Sequence, residues 1–360
     1  MLPAPDEIEE IEKKYGITIK RILRGDVPTF MEVPLATKRE HLKDVDVAVL
    51  GIPWEGFIYD DVSGDVFFPP MWSQTSPGST YSLPKCRGAD KAPEAIRKAS
   101  TYYSIRDAGG TFPELDWNLR LADQIKIVDY GDVDIVLGDA EETFKRAEEK
   151  VSHVLKAGAV PVVLGGDHAI TYPPLKAVAQ HTKGKIGIID FDCHIDLDES
   201  LKYDAAWQFL GAFQLENVSP KNMVQIGISD LSNLPRWFEN AKKLGVKSFT
   251  ITDVEENGIS AIVKEAMEIA TNGTEAVYVT LDVDVIDPAF CPAQKYPDPA
   301  GLTAREIMTA LRIIGTGRIA GFDMCCLSPL YDTPSGTGSQ LAARCAVMVI
   351  GTIALKKMRS

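Results

Sequence analysis

Short apolar runs alternate with amphipathic segments along most of the chain. Eight runs are rich in β-branched residues, and several end in acidic residues or glycine; they cover residues 45–53, 125–132, 159–168, 186–192, 223–230, 248–253, 276–284 and 319–329. Segments with apolar residues at helical spacing lie between most of them, at residues 92–104, 140–158, 172–181, 239–245, 259–270 and 303–315. Continuously apolar strands that alternate with helices are typical of a parallel sheet covered on both faces. The pattern therefore predicts an α/β fold.

The domain organisation follows from the continuity of this pattern. No linker and no internal repeat interrupts it, so we predict one domain over residues 45–360. Residues 1–44 are predicted to be an extension that packs on the core or on a neighbouring subunit. Residues 54–91 are rich in Gly, Pro, Ser and aromatic residues, which indicates long loops over a site.

The composition excludes several classes of partner. The net charge is -13, from 38 basic and 51 acidic residues, which argues against nucleic acid or an anionic membrane and suits a cationic ligand. The six cysteines form no CxxC pair, and their density is far below that of a disulfide scaffold. The acidic N-terminus lacks the pattern of a signal peptide, and the apolar segment 341–357 is too short to span a bilayer. We therefore predict a cytoplasmic protein without a membrane partner.

Three of the predicted strands end in unusual polar motifs. They are GGDH at 165–168, DCHID at 192–196 and DVD at 282–284. Ligands bind at the carboxyl ends of the strands in open parallel sheets. If the second motif continues its strand, alternation places its two aspartates and its histidine on one side, with Cys193 and Ile195 on the other.

These motifs together predict a metal centre. Four carboxylates and two imidazoles at one sheet edge could not all remain deprotonated, because their like charges would raise the carboxylate pKa values. Two divalent cations would neutralise the four negative charges and so resolve that conflict. The predicted donors are His168, Asp192, His194, Asp196, Asp282 and Asp284. Oxygen and imidazole donors without a thiolate favour Mn²⁺, Ni²⁺, Co²⁺ or Fe²⁺, and two such ions lower the pKa of a shared water to about 7. Alone, the DCHID motif could be a surface turn or a Ca²⁺ or Mg²⁺ loop, and the GGDH motif could be a helix-entry loop with Asp167 as a capping residue. The DVD motif alone is a weak signal.

The residues resemble the arginase/agmatinase (ureohydrolase) family, which carries GGDH, DAHxD and DxDxxDP motifs. Residues 165–168, 192–196 and 282–288 match these motifs. The match continues through further segments, at residues 87–97, 288–293, 301–307 and 321–332. The resemblance implies a three-layer αβα arginase-like fold with a central parallel sheet, and hydrolysis of a guanidino C–N bond that releases urea and an amine or ammonia.

The resemblance also implies roles for the six predicted donors. Asp192 and Asp282 would bridge two divalent ions per chain, Ni²⁺ or Mn²⁺. His168 and Asp196 would complete one coordination sphere, and the other pair, His194 and Asp284, would complete the second. Asp196 is also the predicted catalytic residue, because it would orient the attacking hydroxide. Relatives assemble as trimers or hexamers, so a homo-oligomer, or a hetero-oligomer with a homologous chain, is expected.

Three departures from the family pattern bear on the substrate. Residues 202–213 lack the histidine that many relatives have shortly after the motif matched by DCHID. Cys326 stands where many relatives have a glutamate, and the loop 291–301 differs from the small glycine-rich loop that is usual there. A pocket with Cys326 and Trp207 would suit a small cationic guanidine or biguanide, as in the guanidine hydrolase and metformin hydrolase branch. Both residues are predicted to contact substrate, and ordinary packing is the alternative for both.

Other functions stay open from the sequence. The chain could be an agmatinase-like ureohydrolase acting on an alkylguanidine, or a subunit of a hetero-oligomeric hydrolase with weak activity of its own. A third possibility is another hydrolase chemistry on this scaffold, because histone deacetylases resemble the fold and use a single zinc ion.

Overall fold

The computed structural model describes residues 22–24, 27–56, 87–104, 120–199, 202–229 and 233–359. The strands within this part are β1 (Ile22–Arg24), β2 (Val27–Pro28), β3 (Val47–Gly51), β4 (Ile127–Asp132), β5 (Val160–Leu164), β6 (Ile186–Phe191), β7 (Val218–Ile228), β8 (Lys247–Thr250), β9 (Ala276–Asp282) and β10 (Ile319–Cys325). The α-helices are α1 (Ala92–Ser100), α2 (Leu121–Gln124), α3 (Ala140–Lys156), α4 (Tyr172–His181), α5 (Gln208–Ala212), α6 (Pro235–Leu244), α7 (Ile251–Asn257), α8 (Ile259–Thr271), α9 (Ala304–Ile314) and α10 (Thr337–Arg359).

Eight of these strands form one sheet in the order β4-β3-β5-β10-β9-β6-β7-β8. Every neighbouring pair in it is parallel. Strands β1 and β2 form a separate antiparallel pair. All eight runs predicted as strands contribute a strand to the large sheet. The central strands are apolar enough to be buried on both faces, whereas β8 at the edge of the sheet is only partly buried.

Helices cover both faces of the sheet. Successive strand residues face opposite sides: Val47 and Val49 of β3 lie in one apolar core, and Ala48 and Leu50 lie in the other. Helices α1, α8, α9 and α10 bury apolar residues in the first core, and α3, α4, α5 and α6 bury theirs on the opposite side. The predicted three-layer αβα arrangement is confirmed.

Two segments differ from the sequence-based expectation. The strand predicted over 248–253 ends at Thr250, because the Thr250 hydroxyl accepts from the Asp253 backbone N–H while the Asp253 carboxylate accepts from the Thr250 N–H. This capping box starts helix α7. The apolar segment 341–357 is the middle of α10, which among the described residues is the one helix long and apolar enough to cross a membrane. However, 72% of its apolar window is buried inside the protein, as expected for a core helix.

Residues 27–44 of the N-terminal extension pack on the core of their own chain. The backbone N–H of Phe30 donates to Asp129 of β4, and that of Met31 donates to Ser100 of α1. Both apolar side chains are buried. Residues 1–21 of the predicted extension and most of the predicted loop insertion lie outside the described residues.

The sheet order places the three motifs at one edge. Strands β5, β10, β9 and β6 are neighbours in the middle of the sheet. They are parallel, so their carboxyl ends lie at the same edge, and GGDH, DVD and DCHID follow β5, β9 and β6 there.

Candidate metal centre

The GGDH motif turns sharply after β5 because two backbones approach it closely. A Cβ on Gly165 would lie 2.4 Å from the Met324 carbonyl oxygen, and one on Gly166 would lie 1.8 Å from that of Trp54. Only glycine fits at such distances. Asp167 then caps a short 3₁₀ helix, His168–Thr171, by accepting from the Ala169 N–H. The turn thereby carries the His168 ring to the sheet edge.

The His168 imidazole contacts three carboxylates through one nitrogen. Its Nδ1 lies 3.0 Å from Asp192 Oδ2, 3.0 Å from Asp196 Oδ2 and 3.3 Å from Asp282 Oδ2. All four side chains are buried. Residues from three separate strand ends therefore meet at a single atom of His168.

The His194 imidazole forms the second half of the cluster. Its Nδ1 lies 3.2 Å from Asp192 Oδ1 and 3.4 Å from Asp284 Oδ2. Asp192 therefore presents one oxygen to each histidine and lies between the two halves. Together with Asp196 and Asp282, the structure brings all six predicted donor residues into contact, while their roles as ligands stay a prediction.

The donor atoms fit divalent ions. His168 Nδ1, Asp192 Oδ2 and Asp284 Oδ2 are buried without a hydrogen-bond partner, and each such atom costs about 1–3 kcal/mol unless it is satisfied. Atoms bound to one ion at about 2.0–2.3 Å lie about 3.0–3.5 Å apart. The distances between donors in both halves fall in this range, so ions would satisfy atoms that the protein leaves without partners.

A chain of hydroxyl groups determines which His168 nitrogen faces the cluster as an acceptor. Thr280 donates its hydroxyl to Asp323 Oδ1 at 2.7 Å, and its oxygen lies 3.2 Å from His168 Nε2. Tyr278 and Thr171 also donate to Asp323. Because the Thr280 proton is committed to Asp323, His168 Nε2 must carry the proton in that contact, which leaves the Nδ1 lone pair free for a metal ion.

Replacing Thr280 with valine should weaken metal binding about 10- to 100-fold, because the variant loses the acceptor that holds the Nε2 proton. Titration calorimetry of the metal-free protein with Mn²⁺ and Ni²⁺ measures the change. Thr280→Ser keeps the hydroxyl and should bind like the wild type. Equal affinity in all three proteins would show that this hydrogen bond does not control the tautomer.

Cys193 does not lie where alternation predicted. Strand β6 ends at Phe191, and Asp196 has a φ of 50°, so the DCHID segment bends away from extended geometry. The Cys193 thiol consequently lies inside the cluster, where it donates to Asp284 Oδ1 at 3.1 Å, and its sulfur is 3.3 Å from His194 Nδ1. The prediction that Cys193 lies on the opposite side from the donors was wrong.

The segment that lacks the histidine of many relatives supplies two other contacts. Gln208 Nε2 donates to Asp196 Oδ2 at 2.7 Å, and both side chains are buried. The Phe209 ring meets the His168 ring edge-on with centroids 5.5 Å apart. Sequence reasoning missed both residues, because neither belongs to a motif and only tertiary contact shows their role.

The two predicted substrate contacts lie in different surroundings. Cys326 is buried with a φ of 61°, and its sulfur belongs to a group of donor atoms with Asp282 and Asp284 that lie within 4.8 Å of one another. Trp207 packs edge-on against Tyr172 and Tyr203, with centroids 5.1 and 5.5 Å away. Both substrate contacts stay predictions.

A buried lysine anchors the unusual loop 291–301 beside the cluster. Lys295 Nζ lies 3.3 Å from Glu55 Oε1 and 3.4 Å from Asp167 Oδ2, and all three side chains are buried. Burial opposes the charged form of Lys295, but the charge of Asp167, with that of Glu55, raises its pKa well above the usual value. The next residue, Tyr296, meets the His194 ring edge-on at 5.4 Å. The loop thus forms one wall of the site.

Without metal, the crowded cluster retains protons. Burial favours neutral His168, but the adjacent carboxylates of Asp192 and Asp196 outweigh it and raise the pKa of the imidazole well above its ordinary value. Burial also opposes the charged form of His194, and the neighbouring Cys193 and Asp284 nevertheless raise its pKa. Burial, with the charge of Asp284, raises the pKa of Asp282. Protonated groups in such a cluster compete with a metal ion.

Metal uptake near neutral pH should therefore release protons, and affinity should rise with pH. Lowering the pH increases the protonated fraction of the two histidines, which must lose a proton before Nδ1 can bind an ion. Calorimetry in buffers of different ionisation enthalpy measures the number of protons released. Equal apparent binding enthalpies in all buffers would contradict this expectation.

Comparison with known proteins is consistent with this geometry. The arginase family profile matches residues 79–351. The chain is 31% identical over 314 residues to proclavaminate amidinohydrolase from Streptomyces clavuligerus, covering 86% of this chain and 87% of that protein. It is 33% identical over 246 residues to agmatinase from Neisseria meningitidis serogroup C, covering 68% of this chain and 75% of the agmatinase. A crystal structure of a hypothetical agmatinase from Burkholderia thailandensis superposes with a TM-score of 0.75 at 25% identity, covering 96% of both chains.

Proposed function

The chain belongs to the arginase family of hydrolases acting on guanidino and amidino C–N bonds, and from this premise we propose that it hydrolyses a small guanidine or biguanide. The proposed substrates are guanidine, N,N-dimethylguanidine or a metformin-like biguanide. The products are urea or a substituted urea, together with ammonia or an amine. Two divalent ions, Ni²⁺ or Mn²⁺, are the proposed cofactors.

The proposal rests on the contact among six donor side chains at one edge of the sheet. Three of their buried donor atoms have no hydrogen-bond partner. Asp192 and Asp282 would take part in holding both ions. His168 and Asp196 would complete the donors of the first ion, and His194 and Asp284 would complete those of the second. When bound, the ion pair supplies a water activated at neutral pH.

The protein residues orient the reaction. The guanidinium carbon is a poor electrophile because resonance spreads its charge over three nitrogens, so the water must be held on the line of attack. Asp196 would accept a hydrogen bond from this water, take up its proton and pass that proton to the leaving nitrogen, which departs as ammonia or an amine. Gln208 donates to Asp196 Oδ2, so it fixes the carboxylate in the position needed for that contact. Gln208 is a positioning residue, because an amide side chain cannot itself relay a proton.

The surroundings of the cluster support a substrate with one positive charge. Glu55 and Asp167 are paired with Lys295, and Asp298 of the same loop accepts from Ser229. These carboxylates are engaged within the protein and are poor anchors for a second cationic group. Cys326, close to Asp282 and Asp284, is uncharged as a thiol. A compact monocation therefore suits this site better than a long dication such as agmatine.

A substrate panel tests the proposal. Protein loaded with Ni²⁺, and separately with Mn²⁺, is mixed with guanidine, N,N-dimethylguanidine, metformin and agmatine, and the products are measured by mass spectrometry. We expect product from the compact guanidines or the biguanide, with a higher kcat/KM than for agmatine. Preference for agmatine would favour the agmatinase-like alternative, and no product from any guanidino compound would reject the proposal.

A further inference from the structure

We propose that the Cys193 thiolate is an additional ligand of the ion held by Asp192, His194 and Asp284. This inference rests on the proposed metal centre and goes beyond its six oxygen and nitrogen donors. It makes the two halves of the centre chemically different, one with sulfur and one without it.

The sulfur position matches that of the other donors. Cys193 Sγ is 3.3 Å from His194 Nδ1, beside distances of 3.2 and 3.4 Å from the same nitrogen to Asp192 Oδ1 and Asp284 Oδ2. One ligand atom from each of these four residues lies within 4.8 Å of all the others. Metal bonds of about 2.0–2.3 Å give donor separations of about 3.0–3.5 Å, so the distance from the sulfur to His194 Nδ1 is the one expected if both atoms bound the same ion.

A second observation points to a ligand at this place independently of the cysteine. Asp284 Oδ2 is buried and has no hydrogen-bond partner. Asp284 uses only its other oxygen, Oδ1, to accept from the Cys193 thiol. The free Oδ2 atom next to His194 Nδ1 is the position at which a cation would be satisfied.

Hydrogen bonds fix the backbone around Cys193, and this keeps its side chain in the cluster. The Cys193 carbonyl accepts from the Ser229 N–H and from Asn233 Nδ2. The Asn233 side chain oxygen in turn accepts from the Ile195 N–H. These contacts hold the bend on both sides of His194, so the sulfur cannot leave the cluster by a local backbone shift alone.

Thiolate coordination changes the metal preference and the charge of the centre. On binding of the ion, the thiol proton passes to solvent and the sulfur becomes a ligand with one negative charge. Four carboxylates and one thiolate against two divalent ions leave a formal charge of about -1. A soft sulfur donor favours Ni²⁺ or Co²⁺ over Mn²⁺ in this half of the site.

Absorption spectroscopy tests the proposal directly. Metal-free full-length protein is titrated with Co²⁺ and with Ni²⁺, while metal content is measured in parallel. We expect a thiolate-to-metal charge-transfer band in the near ultraviolet that is lost in Cys193→Ser, which keeps a hydrogen-bond donor for Asp284 but removes the sulfur. The same variant should bind its second Co²⁺ or Ni²⁺ at least about ten-fold more weakly, with a smaller change for Mn²⁺.

Two control variants make the result decisive. Cys345→Ala removes a thiol buried in the core around α10 and should retain the band. Cys326→Ala removes the sulfur close to Asp282 and should also retain it. The proposal is overturned if two ions bind without the charge-transfer band. It is also overturned if the band survives in Cys193→Ser and disappears in Cys326→Ala. Neither result would contradict the proposed hydrolase function. Failure of any divalent ion to bind would overturn the metal centre as well.

Discussion

Replacing Asp282 with asparagine should lower kcat/KM for any guanidino substrate by at least about 10³-fold. Asp282 Oδ2 faces His168 Nδ1 at 3.3 Å, and the residue is one of the two proposed bridges between the ions. Loss of one bridging charge removes both the activation of water and the electrostatic stabilisation of the reacting group. Removing a single stabilising donor in other active sites already costs about 10²–10³-fold.

The asparagine substitution separates this effect from unfolding. Asp282 Oδ1 accepts from the Asp284 N–H and so caps the short 3₁₀ helix Val283–Val285. Asparagine caps helices about as well as aspartate, and its volume is the same. The folded structure should therefore persist while the charge is lost, and circular dichroism together with thermal unfolding checks this.

Asp287 offers a matched control within the same DxDxxDP motif. Its carboxylate accepts from the backbone N–H groups of Ala289 and Ala300 and is outside the donor cluster. Asp287→Asn should bind two metal ions and keep its activity within a few-fold. Steady-state kinetics and metal analysis of both variants make the comparison.

The same variant distinguishes an enzyme from an accessory subunit. If the chain acts only in assembly, Asp282→Asn will leave the activity of a complex with a homologous chain unchanged. If this chain performs hydrolysis, the complex will lose the activity contributed by its own centre. The six donors of this chain favour the second outcome, since a chain retained for assembly has no physical need for buried, unpartnered carboxylate oxygens.

The metal centre could be predicted from the sequence because its donors follow strand ends. A buried parallel strand is recognisable by its apolar residues, and parallel strands bring their carboxyl ends to one edge. Knowing the strands was therefore enough to place His168, Asp192 and Asp282 at one edge of the sheet. Whether these residues lie close enough to share ions depends on the strand order, in which β5, β10, β9 and β6 are neighbours.

The groups around the donors could not be predicted, because they depend on tertiary contacts. Thr280 and Asp323 lie on neighbouring strands, and their link to His168 needs the register between β9 and β10. Gln208 reaches Asp196 from helix α5, which follows a loop. Cys193 was misplaced because period-two alternation holds only while the chain stays extended, and here the chain bends directly after Phe191.

Lys295 is a further residue whose importance appears only in the folded protein. In the sequence it is one lysine in a polar loop, which normally means a solvated side chain. In the structure it is buried and joins three distant segments: the loop after β9, Glu55 after β3, and Asp167 beside His168. A buried charge that loses its partner is strongly destabilising, even where the intact pair contributes little net stability.

Replacing Lys295 with methionine should lower the free energy of unfolding by about 3–5 kcal/mol, because Glu55 and Asp167 remain buried without their cation. Urea denaturation measures the change, since guanidinium is a proposed substrate. Adding Glu55→Gln should recover part of the loss by removing one of the two uncompensated charges. Lys243→Met, at an exposed pair with Glu239, should change stability by no more than about 0.5 kcal/mol. Equal free energies of unfolding for Lys295→Met and Lys243→Met would show that the buried ion pairs of Lys295 do not hold the 291–301 loop against the metal centre.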